Sequence, residues 1–217
     1  MSSEMIDLFF SSFYETLLMV GISGVLGALL GVPLGILLHL TDRNGILPHA
    51  IFNRIAGVLV NAVRSTPFII LLVAVIPVTR FFVGSSIGTA AAIVPLTIAA
   101  APFVARLVET ALREVDRGLV EAAQAMGATT SQIVFKVLVP EAFAGIVAGL
   151  TITFVSLVGY SAMAGAIGGG GLGDLGIRYG YQRFLPEVML IVVLILIVFV
   201  QLVQSAGDTL VRRLSHK

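Results

Sequence analysis

The chain has 217 residues, 58% of them hydrophobic and 12% charged, with a mean hydropathy of +1.06 and a formal net charge of +1. A soluble domain carries roughly a quarter of its residues as charges, so no large soluble domain fits beside the apolar segments, and the near-neutral balance excludes nucleic acid as a partner. The absence of cysteine excludes disulfides, thiolate metal sites and cysteine nucleophiles, and His39, His49 and His216 show no ligand spacing.

The first twelve residues carry Glu4 and Asp7 but no Lys or Arg. They lack the basic start of a cleavable signal peptide, so the first apolar segment is expected to stay as a membrane span. A span needs about 20 apolar residues. In chain order the candidates are Phe13–Leu40, then Ile55–Val78 interrupted by Arg64-Ser65-Thr66-Pro67, then Ile87–Leu107 with Pro95 and Pro102 inside it. A fourth runs over Ala142–Val158 and on toward Ala164, and a fifth over Val188–Val203 and on toward Val211. On the first span, Gly27, Gly31 and Gly35 are four residues apart, a spacing that lets helices approach closely, here expected within one subunit. Pro67 is expected to bend the second span. Arg64, counted from Ile55, lies about 14 Å along that helix; a snorkelling or structurally paired role is expected for it, and the alternative is a place near the pathway or the subunit seam.

The polar stretch Glu109–Pro140 between the third and fourth spans reads as a helical hairpin. Leu119–Met126 is made of good helix formers. Asp116 is placed to cap its start and Gly127 to end it in a left-handed conformation. Thr129 with Gln132 fits a capping box for a second short helix, and Pro140 marks the start of the fourth span. Ala122, Ala123 and Ala125 offer a small-residue surface for close approach by another backbone. The glycine-rich Gly165–Pro186 connects the last two spans; its Gly168–Gly171 run lacks the Lys-Ser/Thr ending of a phosphate loop, and a flexible, close-packed outer turn is expected there.

Orientation follows from Lys and Arg. Arg43, Arg54, Arg106, Arg113, Arg117, Lys136, Arg212, Arg213 and Lys217 fall on one side, and Arg80, Arg178 and Arg183 on the other. That asymmetry places the hairpin and the C-terminus in the cytoplasm and the N-terminus outside. The expected fold is thus an all-α membrane protein, a single transmembrane domain over residues 1–217 with five transmembrane helices and a cytoplasmic hairpin at about 109–140.

Glu121-Ala122-Ala123, then Gly127, Ile133 and Leu138-Val139-Pro140, resemble the EAA motif of bacterial ABC importer permeases; residue types and spacing agree over about twenty positions, although many members have proline where Asp116 stands. With Asn61, Arg64-Ser65-Thr66-Pro67-Phe68, Ile76-Pro77, Ala101-Pro102-Phe103, Gly159-Tyr160-Ser161-Ala162-Met163 and Gly169-Gly170-Gly171-Leu172-Gly173, the chain is similar to the methionine importer permeases over nearly its whole length. The resemblance implies a permease that moves L- and D-methionine from an external binding protein into the cytoplasm by alternating access. The alternative is a permease of the same type for another amino acid or small polar solute. It further implies a homodimer in the bacterial inner membrane, two ATP-binding cassette subunits and a methionine-binding (lipo)protein as partners, and a lipid bilayer around it. Glu121, Ala122, Ala123, Met126, Gly127 and Ala128 would couple to the ATPase, which the hairpin would enter as a coupling helix. Tyr160, Ser161 and Met163 would form a gate or line the pathway. The chain has no GxxxxGK[ST], so no cofactor, catalytic residue or metal is expected in it, and ATP and magnesium would sit on the partner. An intramembrane enzyme would need paired acids or histidines inside the spans, and an ion-coupled carrier buried carboxylates; neither pattern is visible.

Overall fold

Residues 3–215 are described by a computed structural model, and they are helical, with no strand among them. His216 and Lys217, the latter counted above for orientation, lie outside the described residues. The first helix, α1 (Ser3–Leu40), begins ten residues before Phe13. No glycine or proline interrupts Met5–Phe10, and Glu4 in the first turn suits the positive end of the helix dipole.

The second expected span is not one helix. It divides into α2 (Ala50–Ser65), α3 (Phe68–Ala74) and α4 (Ile76–Val83), and α2 and α3 meet at 109°. The cause is local. A proline disfavours helical backbone in the residue before it, and Thr66, before Pro67, is extended at φ −81°, ψ 126°. Among the described residues there are therefore four helices long and apolar enough to cross a membrane, and a fifth crossing only if the bent pair counts as one.

Helix α5 (Thr89–Arg113) passes through Pro95 and Pro102 without a break and runs six residues past Leu107. Glu109, expected to open the hairpin, is therefore inside α5. The hairpin contains α6 (Arg117–Ala125) and α7 (Thr130–Ile133), but α7 is not a separate helix. It continues through one π-helical stretch, Val134–Leu138, into α8 (Val139–Ala164), so that one helical run covers Thr130–Ala164 and ends at the kink of Ile167 and Gly168. Pro140 has no N–H to give to the preceding turn. The wider stretch, in which Val139 donates to the Val134 carbonyl five residues back, lets the helix go on through that site.

The glycine-rich segment is close-packed, as expected, but it is built of short helical stretches rather than a flexible turn. After a π-type turn at Gly165–Gly169 comes the short α9 (Gly171–Leu175), a second π-helical stretch Gly176–Gln182, and then α10 (Pro186–Leu214). Gly171 N–H donates to Glu15 Oε2 at 2.7 Å and Leu172 N–H to Thr16 Oγ1 at 2.9 Å, so α1 caps α9 across 156 residues of sequence. Leu172 and Leu175 are buried with Phe9, Val188 and Val192.

Helices α1 and α5 form the centre of the bundle. The glycines of α1 make it possible: a side chain at Gly31 would come within 2.5 Å of the Ala101 carbonyl, and one at Gly27 within 2.5 Å of the Ala100 methyl. The stripe is used inside the subunit, against Ala100, Val104 and Val108 of α5. One cluster, with Leu40, Val108, Leu112 and Ile146, lies at the hairpin end; a second, with Met19, Phe68, Leu96 and Leu157, lies in the middle. The starts of α1 and α10 pack together at the far end.

Candidate functional site

The hairpin presents one short helix held at both ends. At its start Asp116 Oδ1 accepts from Gly118 N–H at 2.6 Å. At its end Gly127 is left-handed, with φ +79°. Gly127 N–H donates to the Gln124 carbonyl at 2.9 Å and Ala128 N–H to the Ala123 carbonyl at 3.1 Å. This paired closure satisfies carbonyls that a helix end otherwise leaves open. The chain restarts at once through a capping box: Thr129 N–H donates to Gln132 Oε1 at 2.8 Å, and Gln132 N–H to Thr129 Oγ1 at 3.4 Å.

Of the six residues expected to couple, Ala123 is buried against Leu112, Ile133 and Leu138, and Ala128 is half-buried beside it. Glu121, Ala122, Met126 and Gly127 are exposed, Met126 at 82%. Ala123 thus roots α6 in the bundle, while Ala122 and Ala125 leave a flat outer face beside the projecting Met126. Behind α6 lies a cleft of about 340 Å³ between the α1–α2 loop and the hairpin, lined by His39, Asp42, Arg113, Arg117, Glu121 and Gln124 among others.

A charged network stands at the root of this cleft, and the sequence reading missed it. Glu109 is 2% exposed and accepts from Arg106 and from Arg113, each at 2.6 Å. Arg106 also donates to Asn61 Oδ1 of α2 at 2.7 Å, and Arg113 lies 3.7 Å from Asp42. One carboxylate therefore ties the end of α5 to α2 and to the α1–α2 loop. The signal was present as three charges at positions 106, 109 and 113, one face of a helix. It was hidden because the helix was expected to stop at Leu107.

The three candidate gate residues are not brought together. Ser161 is buried and donates its hydroxyl to the Val158 carbonyl at 2.8 Å, so it serves the helix. Tyr160 is half-buried and stacks on Phe68, ring centres 4.6 Å apart and planes 8° from parallel. Met163 is 47% exposed on the isolated chain. Tyr160 also borders a cavity of about 90 Å³ beside the α2–α3 break, shared with Arg64, Thr66, Phe68 and Phe103. Arg64 lies 5.8 Å from the Phe103 ring centre. No cluster of His, Cys, Asp and Glu that could hold a metal ion exists among the described residues.

The sequence profile of the binding-protein-dependent transport system inner membrane component family matches residues 31–216. A protein of Vibrio cholerae described as a probable D-methionine transport system permease protein MetI is 57% identical over 211 residues, spanning 97% of this chain and 94% of that one. The D-methionine transport system permease protein MetI of Escherichia coli K12 is 54% identical over 165 residues, 76% of each chain. A chain from the structure of inward-facing conformations of the MetNI methionine ABC transporter superposes with a TM-score of 0.97 at 52% identity, over 99% of both chains.

Proposed function

Since the chain belongs to the family of binding-protein-dependent transport system inner membrane components, we propose that it is the membrane permease of an ATP-driven methionine importer. The observation that carries this is the near-complete match to D-methionine permeases in sequence and to a MetNI methionine transporter chain in backbone. Two copies would form the pathway, and two separate ATP-binding cassette subunits would supply the energy. An external binding protein would deliver L- or D-methionine to a bacterial inner membrane. The hairpin would face the cytoplasm and the N-terminus the outside, as the Lys and Arg distribution supports.

Coupling would pass through α6. Its exposed Ala122, Met126 and Gly127 would enter a groove on the ATPase, with Glu121 beside them, and Ala123 would pass the movement to the buried cluster at the hairpin end. The Glu109 network would keep α2 and α5 moving with it. The pathway would then alternate between inward-open and outward-open states, with Met163 of the two copies closing it in one of them. ATP and magnesium would remain on the partner throughout.

Uptake of radiolabelled methionine into proteoliposomes tests this. Vesicles holding this chain with its ATPase and binding protein are expected to accumulate methionine only when ATP is present. Uptake that proceeds equally without ATP, or no uptake with all components assembled, overturns the proposal.

A further inference from the structure

Arg64 is set deeper than its place in the sequence suggested. Helix α2 begins at Ala50, so Arg64 stands about 21 Å along it. Its aromatic neighbour Phe103 lies ten residues from the end of α5 at Arg113, about 15 Å from the hairpin end. Measured along either helix, that distance exceeds the reach of an arginine side chain. A cation at that depth must face protein, water or an anion. Among the described residues Arg64 makes no ion pair. Glu109 and Asp174 are paired elsewhere, Glu15 caps α9, and the other carboxylates lie toward helix ends or in loops. A second copy related by a two-fold axis brings the same groups at the same depth, so it supplies no counter-charge either.

We infer that Arg64 receives the carboxylate of the transported amino acid, in a subsite formed with Thr66, Phe68, Phe103 and Tyr160 at the break between α2 and α3. This rests on the importer reading and assigns the substrate a place within it. The guanidinium is a planar fork that matches a carboxylate with two parallel hydrogen bonds. The stacked Phe68 and Tyr160 rings and the Phe103 ring provide aromatic surface of the kind that favours a thioether. The Ala62 and Val63 carbonyls of α2 are taken by Ser65 and Thr66, but the helix does not continue to occupy those of Arg64 and Ser65, and such oxygens suit an ammonium group. The cavity is about 90 Å³ in this state, smaller than methionine, so the subsite enlarges when α3 and α8 move apart. Arg64 is exposed and is one of the residues that line this cavity.

The test compares wild type with Arg64→Met and Arg64→Lys, each in the complete complex with ATPase and binding protein. Three quantities are measured: assembly, ATP hydrolysis stimulated by the loaded binding protein, and radiolabelled methionine taken up per ATP. Losing a charge-assisted contact predicts uptake per ATP about 10- to 100-fold lower in R64M, with assembly and hydrolysis preserved. R64K keeps the charge without the fork and is expected to fall between R64M and wild type. A purely structural Arg64 would instead lower assembly and hydrolysis together and leave the ratio unchanged. Wild-type uptake per ATP in assembled R64M overturns the inference. If R64M fails to assemble, R64K decides: an unchanged ratio overturns it and a reduced one supports it. Absence of uptake by the wild-type complex would instead sink the importer reading on which this rests.

Discussion

At the residue scale, Gly127 carries the sharpest constraint. Its φ of +79° is unfavourable for a β-branched side chain, by roughly 1–2 kcal/mol or more. No atom lies near enough to obstruct an added Cβ, so the penalty is conformational and local to the end of α6. Gly127→Val is expected to leave the spans inserted while weakening capture of the ATPase, measured by co-purification of the two subunits. Glu121→Lys keeps the backbone closure and reverses the charge on the exposed face; it is expected to lower uptake per ATP in proteoliposomes. Glu109→Ala acts differently. It leaves Arg106, only 24% exposed, without its carboxylate, and removing one partner of a buried pair costs roughly 3 kcal/mol or more. A fall in the melting temperature of the purified protein is the expected outcome. Met163→Ala, at an exposed position, is expected to preserve assembly and raise ATP hydrolysis in the absence of substrate.

At the scale of elements, the α1–α5 contact depends on absence of side chains. Gly31→Leu would drive a branched side chain into the Ala101 carbonyl and Val104, and overpacking of this kind costs about 1–3 kcal/mol even where some relaxation is possible. Loss of monodisperse protein on size exclusion is expected, in contrast to Gly57→Leu, whose added carbon meets nothing within 4 Å. This stripe was legible in the sequence because spacing of four residues is a helical property. The hairpin caps were legible for the same reason: Asp116, Gly127, Thr129 and Gln132 act through backbone groups within three residues of themselves. What escaped was set by contacts far along the chain. The packed glycine segment is held by Glu15 and Thr16, which no local pattern joins to Gly171 and Leu172. The turn at Thr66-Pro67 was legible as a bend; its 109° comes with the extended backbone of Thr66, and it brings Phe68 onto Tyr160, a contact that no local pattern shows.

At the scale of the whole molecule, the proposed orientation is open to a direct measurement, because the chain has no cysteine of its own. Ser215→Cys at the end of α10 and Ser85→Cys in the α4–α5 loop place one thiol each at exposed positions toward opposite ends of the bundle, clear of the face of α6. In intact cells a membrane-impermeant maleimide is expected to label Ser85→Cys and to reach Ser215→Cys only after the membrane is opened. The opposite pattern would reverse the assignment of sides. One feature of the architecture gives that sidedness a mechanical meaning. Because the helix runs on from Thr130 to Ala164 through one π-helical stretch, Met163 stands about 50 Å along it from the hairpin turn. A tilt of about 5° imposed at the hairpin would sweep the far end through about 4 Å, on the order of a methionine side chain's width, if the rod stays stiff over its helical rise. On the proposed coupling, the hairpin would work as the short arm of a lever, and small strokes at the ATPase would become gate-sized displacements at the far end of that one helix.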